Sequence, residues 1–357
     1  MPKFPDIKDG FHIIQGGMGA AISLPALSGA VAREGGVGTI TSVALDRGIS
    51  DLIGRPVGHY EAAKLAVEFA NEIGKNNGPI AINCMAHMHT CAESIQGAID
   101  GGARLIIIGA GIYKFIGAFK GHERVAFFAV VSSLRAAKTI YKLWSAQGHP
   151  PDGFIVEGPL AGGHLGFSME EIFNPAYSLE NIAPPIIQFG MEAGIPVFVA
   201  GGVWNKFDID LWLSKGAAGV QIGTRFLATE ESSASDTTKQ ACVRATAEDI
   251  IIATNPGSPA GMAFRILKNS PLYLHACKRQ LDVICELGYM LRSDGTCIAQ
   301  TDPDYFCICE GLLSSSAAIP EVAGRELHTV GANAARVDRI LSVHELMEEL
   351  TTGIITP

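Results

Sequence analysis

Charge is scarce in this chain of 357 residues: Asp, Glu, Lys and Arg make up 18%, and aromatic residues only 7%. A disordered chain is charge-rich and apolar-poor, and a hydrophobic content of 48% excludes that class. Long hydrophobic runs are missing as well. Stretches such as Leu105 to Ile108 and Ile195 to Ala200 stop at glycine, far short of the roughly 20 residues a membrane-spanning helix needs. Basic residues are outnumbered, 27 against 36 acidic ones, and the net charge of −9 argues against nucleic acid or an anionic membrane as the main partner. No apolar stretch follows Lys3, so no signal peptide is expected. Eight cysteines without such a leader read as free thiols in a reducing cytoplasm. The dinucleotide fingerprint GxGxxG is absent too, because Gly17-Met18-Gly19 stops short of it.

What is abundant is glycine, 41 residues, placed at regular points between short apolar runs. Eight such runs occur: 12–15, 37–41, 79–84, 105–109, 126–131, 153–157, 196–200 and 218–223. They are continuously apolar, as strands buried on both faces are. Helix-like stretches lie between them at 24–34, 61–75, 91–100, 134–147 and 207–215. Phrases such as Glu34-Gly35-Gly36-Val37 and Lys215-Gly216-Ala217-Ala218 read as a helix end feeding a parallel strand. Eight strands alternating with helices predict a (β/α)8 TIM barrel, with an open doubly wound sheet as the alternative.

Beyond the eighth run the alternation stops. Residues 229–336 hold six of the eight cysteines and carry expected helices at 235–250, 272–292 and around Gly311. The expected organisation is a barrel over 1–230, a helical insertion over 231–336 lying across the barrel mouth, and a segment 337–357 whose helix, 343–350, returns to the barrel wall.

Barrel sites sit at the carboxyl ends of the strands. There the sequence places Gly16-Gly17-Met18-Gly19 after the first run and Asn83 in the third. Glu157 to Gly166 follows the sixth, Gly201-Gly202 the seventh and Gly223-Thr224-Arg225 the eighth. Successive glycine turns after strands seven and eight match a phosphate cradle, in which backbone N–H groups point at an anion. Each turn taken alone is better explained by a tight strand-to-helix connection, and only the two together favour the cradle.

These residues carry a resemblance. The segments 13–19 (IIQGGMG), 34–38 (EGGVG), 161–166 (AGGHLG), 200–203 (AGGV) and 220–226 (VQIGTRF), in this order, resemble the nitronate monooxygenase family, formerly called 2-nitropropane dioxygenases. Flavin-dependent enoyl-acyl-carrier-protein reductases are its relatives. The resemblance covers roughly residues 11–230. It implies FMN in the barrel mouth, with Gly17 and Met18 along the isoalloxazine ring and Asn83 hydrogen-bonded to the flavin. Gly163, Gly201 and Gly202 would line the ribityl–phosphate path, and Gln221, Gly223 and Thr224 would close the phosphate site.

His164, within Ala-Gly-Gly-His-Leu-Gly, is the residue expected to do chemistry, as an imidazole titrating near neutrality that moves a proton. A histidine capping a glycine turn is the competing explanation. Glu157 either tunes it or orients the loop. His87 and His89 are expected as exposed loop residues. Some family members place a lysine near the end of the fifth strand; here the stretch is Val130-Val131-Ser132-Ser133, so serines are expected to donate to the ring instead. The cysteines at 277, 285, 297, 307 and 309 lack a compact ligand pair, and no metal is expected.

The expected activity is FMN-dependent oxidation of alkyl nitronates by oxygen to a carbonyl compound and nitrite, with a small nitronate or nitroalkane as partner and room for a homodimer. The alternatives are an NAD(P)H-dependent FMN enoyl reductase and an FMN-binding trans-acting subunit of a synthase.

Overall fold

The structure, a computed structural model, describes residues 12–279, 290, 295–320 and 323–355. All eight apolar runs form parallel strands of one sheet: β1 Ile13–Gln15, β2 Gly38–Thr41, β3 Ile80–Met85, β4 Leu105–Gly109, β5 Ala126–Val131, β6 Gly153–Glu157, β8 Val197–Ala200 and β9 Gly219–Ile222. Strand neighbours follow chain order from β2 to β9, and β9 pairs with β1. A parallel bridge between Ile14 and Val37, with the Gln15 N–H donating to Val37 O at 3.0 Å, closes the circle. The sheet is therefore a barrel, and the open-sheet alternative falls away.

The alternation of side chains along each strand builds two cores. Ile14, Leu105, Ile107, Phe128, Ile155, Phe198 and Ala200 point inward and fill the barrel, with the Phe128 and Phe198 rings 5.7 Å apart. The outward residues, among them Ile106, Phe127, Phe154, Val156 and Val220, pack under the helices. Polar caps mark where several helices begin. Ser133 accepts the Ala136 N–H ahead of the helix Leu134–Ser145, and Asn205 with Asp208 forms a capping box for Lys206–Ser214. Ser342 and Glu345 do the same for Val343–Thr352, the helix that returns to the barrel. It packs against the helices Pro25–Arg33 and Lys206–Ser214.

The segment after β9 holds helices, and strands with them. The helix expected over 235–250 ends at Val243, and Ile250–Ala253 is a strand, β10. Three consecutive isoleucines favour extended backbone, where β-branched side chains pack without loss of χ1 freedom. β10 pairs antiparallel with β11, Phe264–Leu267, which pairs in turn with the two-residue β7, Gly163–His164. The expected helix 272–292 is seen over Pro271–Ala276; residues 280–289 and 291–294, with Cys285, lie outside the described residues. The region around Gly311 forms the helix Ile308–Ser314. Among the described residues no helix is long and apolar enough to cross a membrane.

Candidate functional site

A cavity of about 380 Å³ opens at the carboxyl ends of the barrel strands, between the barrel mouth and the later segment. Every residue singled out for cofactor or chemistry lines it: Gly17, Met18, Asn83, Gly163, His164, Gly201, Gly202, Gln221, Gly223 and Thr224. Glu157 and His87 line it as well; His89 is exposed outside it.

Gly17 permits a close approach, because a Cβ there would lie 2.5 Å from Cβ of Asn83. Gly201 and Gly202 have φ of +88° and +105°, backbone that L side chains rarely adopt. Gly223 differs: its φ is −106° and a Cβ would meet nothing within 4 Å. Its missing side chain leaves open space in front of the short helix Thr224–Leu227. The Gln221 side chain, level with Ala200 on β8, carries a buried Oε1 with no hydrogen-bond partner among the described residues. A buried amide oxygen without a donor costs stability unless something in the cavity supplies one. Thr224 Oγ1 accepts the Gly331 N–H at 2.9 Å, and its own proton has no acceptor among the described residues. Open space at Gly223, an unpartnered amide and a free hydroxyl proton fit a phosphorylated, amide-bearing group such as FMN.

His164 is placed by the later segment as much as by its glycine loop. Its register partner is Phe264, whose ring centroid lies 4.5 Å from the imidazole. Nε2 is 2.8 Å from Ser258 Oγ, which also accepts the Ala260 N–H. Nε2 is the one acceptor for the Ser258 hydroxyl proton among the described residues. In the tautomer that uses the Ser258 proton, Ser258 donates to Nε2 and the imidazole proton sits on Nδ1, which has no partner among the described residues. Burial, helped by His87, pushes the His164 pKa down to about 4. The expectation of an imidazole titrating near neutrality is thus corrected: the ring is neutral at neutral pH because its surroundings disfavour a cation.

Glu157 moves the other way. It caps the inward column Gly153, Ile155, Glu157 of β6 and stands in register with Ala200, which is in register with Gln221. Glu157 and Gln221 thus lie two strand spacings, about 10 Å, apart. The carboxyl has the apolar barrel filling beneath it, no hydrogen-bond or ionic partner among the described residues, and a pKa raised by burial to about 7. It is the one carboxylate among the lining residues described.

Other expectations need correction. Ser132 and Ser133 do not line the cavity: Ser132 Oγ donates to Gly166 O and Ser133 caps a helix. Several residues that line the cavity or support its loops escaped the sequence reading because they lie far along the chain. Asn333 Nδ2 donates to Gly202 O at 2.6 Å. The buried Arg265 guanidinium donates to Pro159 O and Ala161 O at 2.7 and 2.5 Å, holding the loop that carries His164. Ile308, Leu312 and Leu327 add an apolar flank. No spacing in the sequence pointed to these; the antiparallel pairing of β11 with β7 brings Arg265 to the loop.

Fold and cavity together define a (β/α)8 barrel whose carboxyl mouth is lined by glycine turns, by two histidines, His87 and His164, and by one carboxyl, Glu157. The family model described as nitronate monooxygenase matches residues 4–353, and the chain belongs to that family, whose members are oxidoreductases. A (3aS,4S,5R,7aS)-5-hydroxy-7a-methyl-1-oxo-octahydro-1H-indene-4-carboxyl-CoA dehydrogenase of Mycobacterium tuberculosis is 26% identical over 259 residues, 72% of this chain and 62% of that protein. A probable nitronate monooxygenase of Staphylococcus haemolyticus is 32% identical over 126 residues, 35% of this chain and 34% of its own. In both cases the match spans less than two thirds of the relative's length. The structure of FabK from Thermotoga maritima superimposes with a TM-score of 0.70 at 20% identity, covering 97% of this chain and 94% of that one, which establishes the shared fold.

Proposed function

We propose that this chain binds FMN in the barrel-mouth cavity and oxidises alkyl nitronates with oxygen to a carbonyl compound and nitrite. The observation that carries the reading is the convergence of ten residues from β1, β3, β7, β8, β9 and their following turns on one cavity. The unpartnered Gln221 amide stands among them. Gly223, Thr224 and the first turn of the helix Thr224–Leu227 would hold the phosphate; Gly17, Met18 and Asn83 would face the ring. Bound FMN would supply the electron transfer and oxygen chemistry. The chain supplies placement and proton handling. His164, neutral and with its proton on Nδ1, donates a hydrogen bond to an oxygen of the nitronate, and Ser258 fixes that tautomer. The apolar flank of Ile308, Leu312 and Leu327 receives the alkyl group.

The decisive experiment is a visible spectrum of the purified protein, followed by anaerobic addition of ethylnitronate, propionate 3-nitronate and NADH separately. Bleaching by a nitronate without NADH supports the proposal. Rapid bleaching by NADH alone supports the enoyl-reductase reading, which an apolar flank also suits. A yellow protein inert to all three would point to a trans-acting subunit.

A further inference from the structure

The glycine turns after β8 and β9 are not held by the barrel alone. Three ties reach them from residues 331–349. The Gly331 N–H donates to Thr224 Oγ1 at 2.9 Å, and Asn333 Nδ2 donates to Gly202 O at 2.6 Å. The third tie is ionic. Arg225, next to Thr224, donates from Nη2 to Glu349 Oε2 at 2.5 Å and from Nη1 to Trp204 O at 3.2 Å. Its guanidinium stands 5.1 Å from the centre of the Trp204 ring. Glu349 belongs to the helix Val343–Thr352, 124 positions along the chain, and its other oxygen accepts from Arg339 at 3.1 Å. Packing does not fix Arg225 by itself. It lines the barrel-mouth cavity and also a second cavity of about 550 Å³, whose walls include Trp204, Arg336, Val337 and Glu349. A long side chain with space on two sides keeps its rotamer freedom until a specific partner removes it. The Glu349 carboxylate is that partner, and with the two side chains only 12% and 8% exposed, little water competes for the pair.

We propose that Glu349 is a positioning residue for the phosphate end of the cavity and acts through Arg225: it holds the guanidinium against Trp204 and so fixes the turn that presents Gly223 and Thr224. This rests on the FMN reading and adds to it a residue from the far end of the chain. The effect is confined to the phosphate. Gly17, Met18 and Asn83, which would face the ring, take no hydrogen bond from 331–349 among the described residues. The Met18 N–H donates to Ser23 Oγ at 2.9 Å, and Asn83 O accepts the Ser42 N–H at 3.0 Å. Loss of Glu349 should therefore weaken the hold on a flavin that carries a phosphate and leave the hold on one without it.

The test compares FMN with riboflavin, which is the same molecule without the phosphate. Purified protein is equilibrated with mixtures of the two and filtered, and the bound flavins are separated by chromatography, so that their ratio reads relative affinity directly. In Glu349→Gln the preference for FMN should fall roughly tenfold, the scale of one charged hydrogen bond, with riboflavin affinity within about twofold of wild type. Arg225→Met should lower the preference as well. The double variant should lose no more than the larger single loss, because both changes cut one link. Arg339→Met removes the second partner of Glu349 and leaves the Arg225 pair, so its preference should stay within about twofold of wild type. Glu349→Asp, which keeps the charge and shortens the reach, is expected to fall between wild type and Glu349→Gln. An unchanged preference in whichever of the two Glu349 variants folds overturns the proposal. So does equal loss of both flavins, which would mean a general loss of structure. A preference that rises overturns it too, since Glu349 would then be restraining a guanidinium that binds the phosphate better without it. Wild-type protein that holds neither flavin would sink the FMN reading itself, and the positioning role with it.

Discussion

The barrel and the segment that follows it build the same cavity by different means. Barrel residues arrive by period: each comes from the end of a strand, and the register of β6, β8 and β9 sets Glu157, Ala200 and Gln221 at one level. Residues of the later segment arrive by docking. β11 adds to the edge of the two-residue β7, Arg265 clamps the loop carbonyls, and Ser258 and Phe264 fix the His164 ring. The barrel thus holds the candidate cofactor site, while the added segment decides the orientation of the one histidine on β7. Barrel enzymes generally vary in this way, with chemistry carried by loops on a constant wall.

The sharpest way to separate the two regions is Gly223→Val. Its Cβ meets no protein atom within 4 Å, so the fold should survive while the phosphate space is filled. The expected outcome is a folded protein without flavin, read by absorbance and circular dichroism. Gly202 is a poorer probe, because a side chain there meets Leu160 and strains a φ of +105° whatever the cavity holds.

Next comes Arg265→Met, which cuts the clamp from the later segment. Losing charged hydrogen bonds to two carbonyls at a buried site should cost about 3 kcal/mol of stability in chemical unfolding. Activity should fall with flavin retained; a variant as stable as wild type would show that the clamp is dispensable.

Stability against pH should distinguish the regions in sign. His328, buried in the later segment with Nδ1 3.1 Å from Thr238 Oγ1, has its pKa lowered by burial to about 4, as His164 has. A histidine depressed in the folded state contributes stability above its unfolded pKa of 6.5 and loses it as pH falls through 4. The full effect is on the order of 3 kcal/mol per group. Glu157, raised from 4.5 to about 7, contributes stability below 4.5 and loses it as pH rises through 7. Glu157→Gln should therefore gain on wild type in melting temperature between pH 5 and 8, and His328→Gln should gain on it between pH 6.5 and 4.5.

The smallest effect is expected from Ser258→Ala. It frees Nε2 and the choice of tautomer, and should reduce kcat/KM on nitronate about tenfold, near the 1.4 kcal/mol of one good hydrogen bond. Flavin content and melting temperature should stay close to wild type.

The barrel and the membership of its mouth were legible because both depend on local pattern. Buried parallel strands demand continuous apolar runs, helix ends demand glycine, and the strand-end glycines and Asn83 stand in the run order that places them in one ring. The sequence by itself therefore determined the fold, the end of the barrel that carries the site and the identity of its wall residues. It also presented Glu157 and His164 as neighbours in one loop. Only the tertiary structure decided their protonation, since a pKa follows from what lies around a side chain rather than from its place in a motif. The apolar filling under Glu157 comes from several separate strands, and the groups that fix His164 come from about 100 residues further on. Contacts of that range leave no period to read, and for that reason the imidazole expected near neutrality and the carboxyl expected as an accessory exchange their titration ranges once the chain is folded.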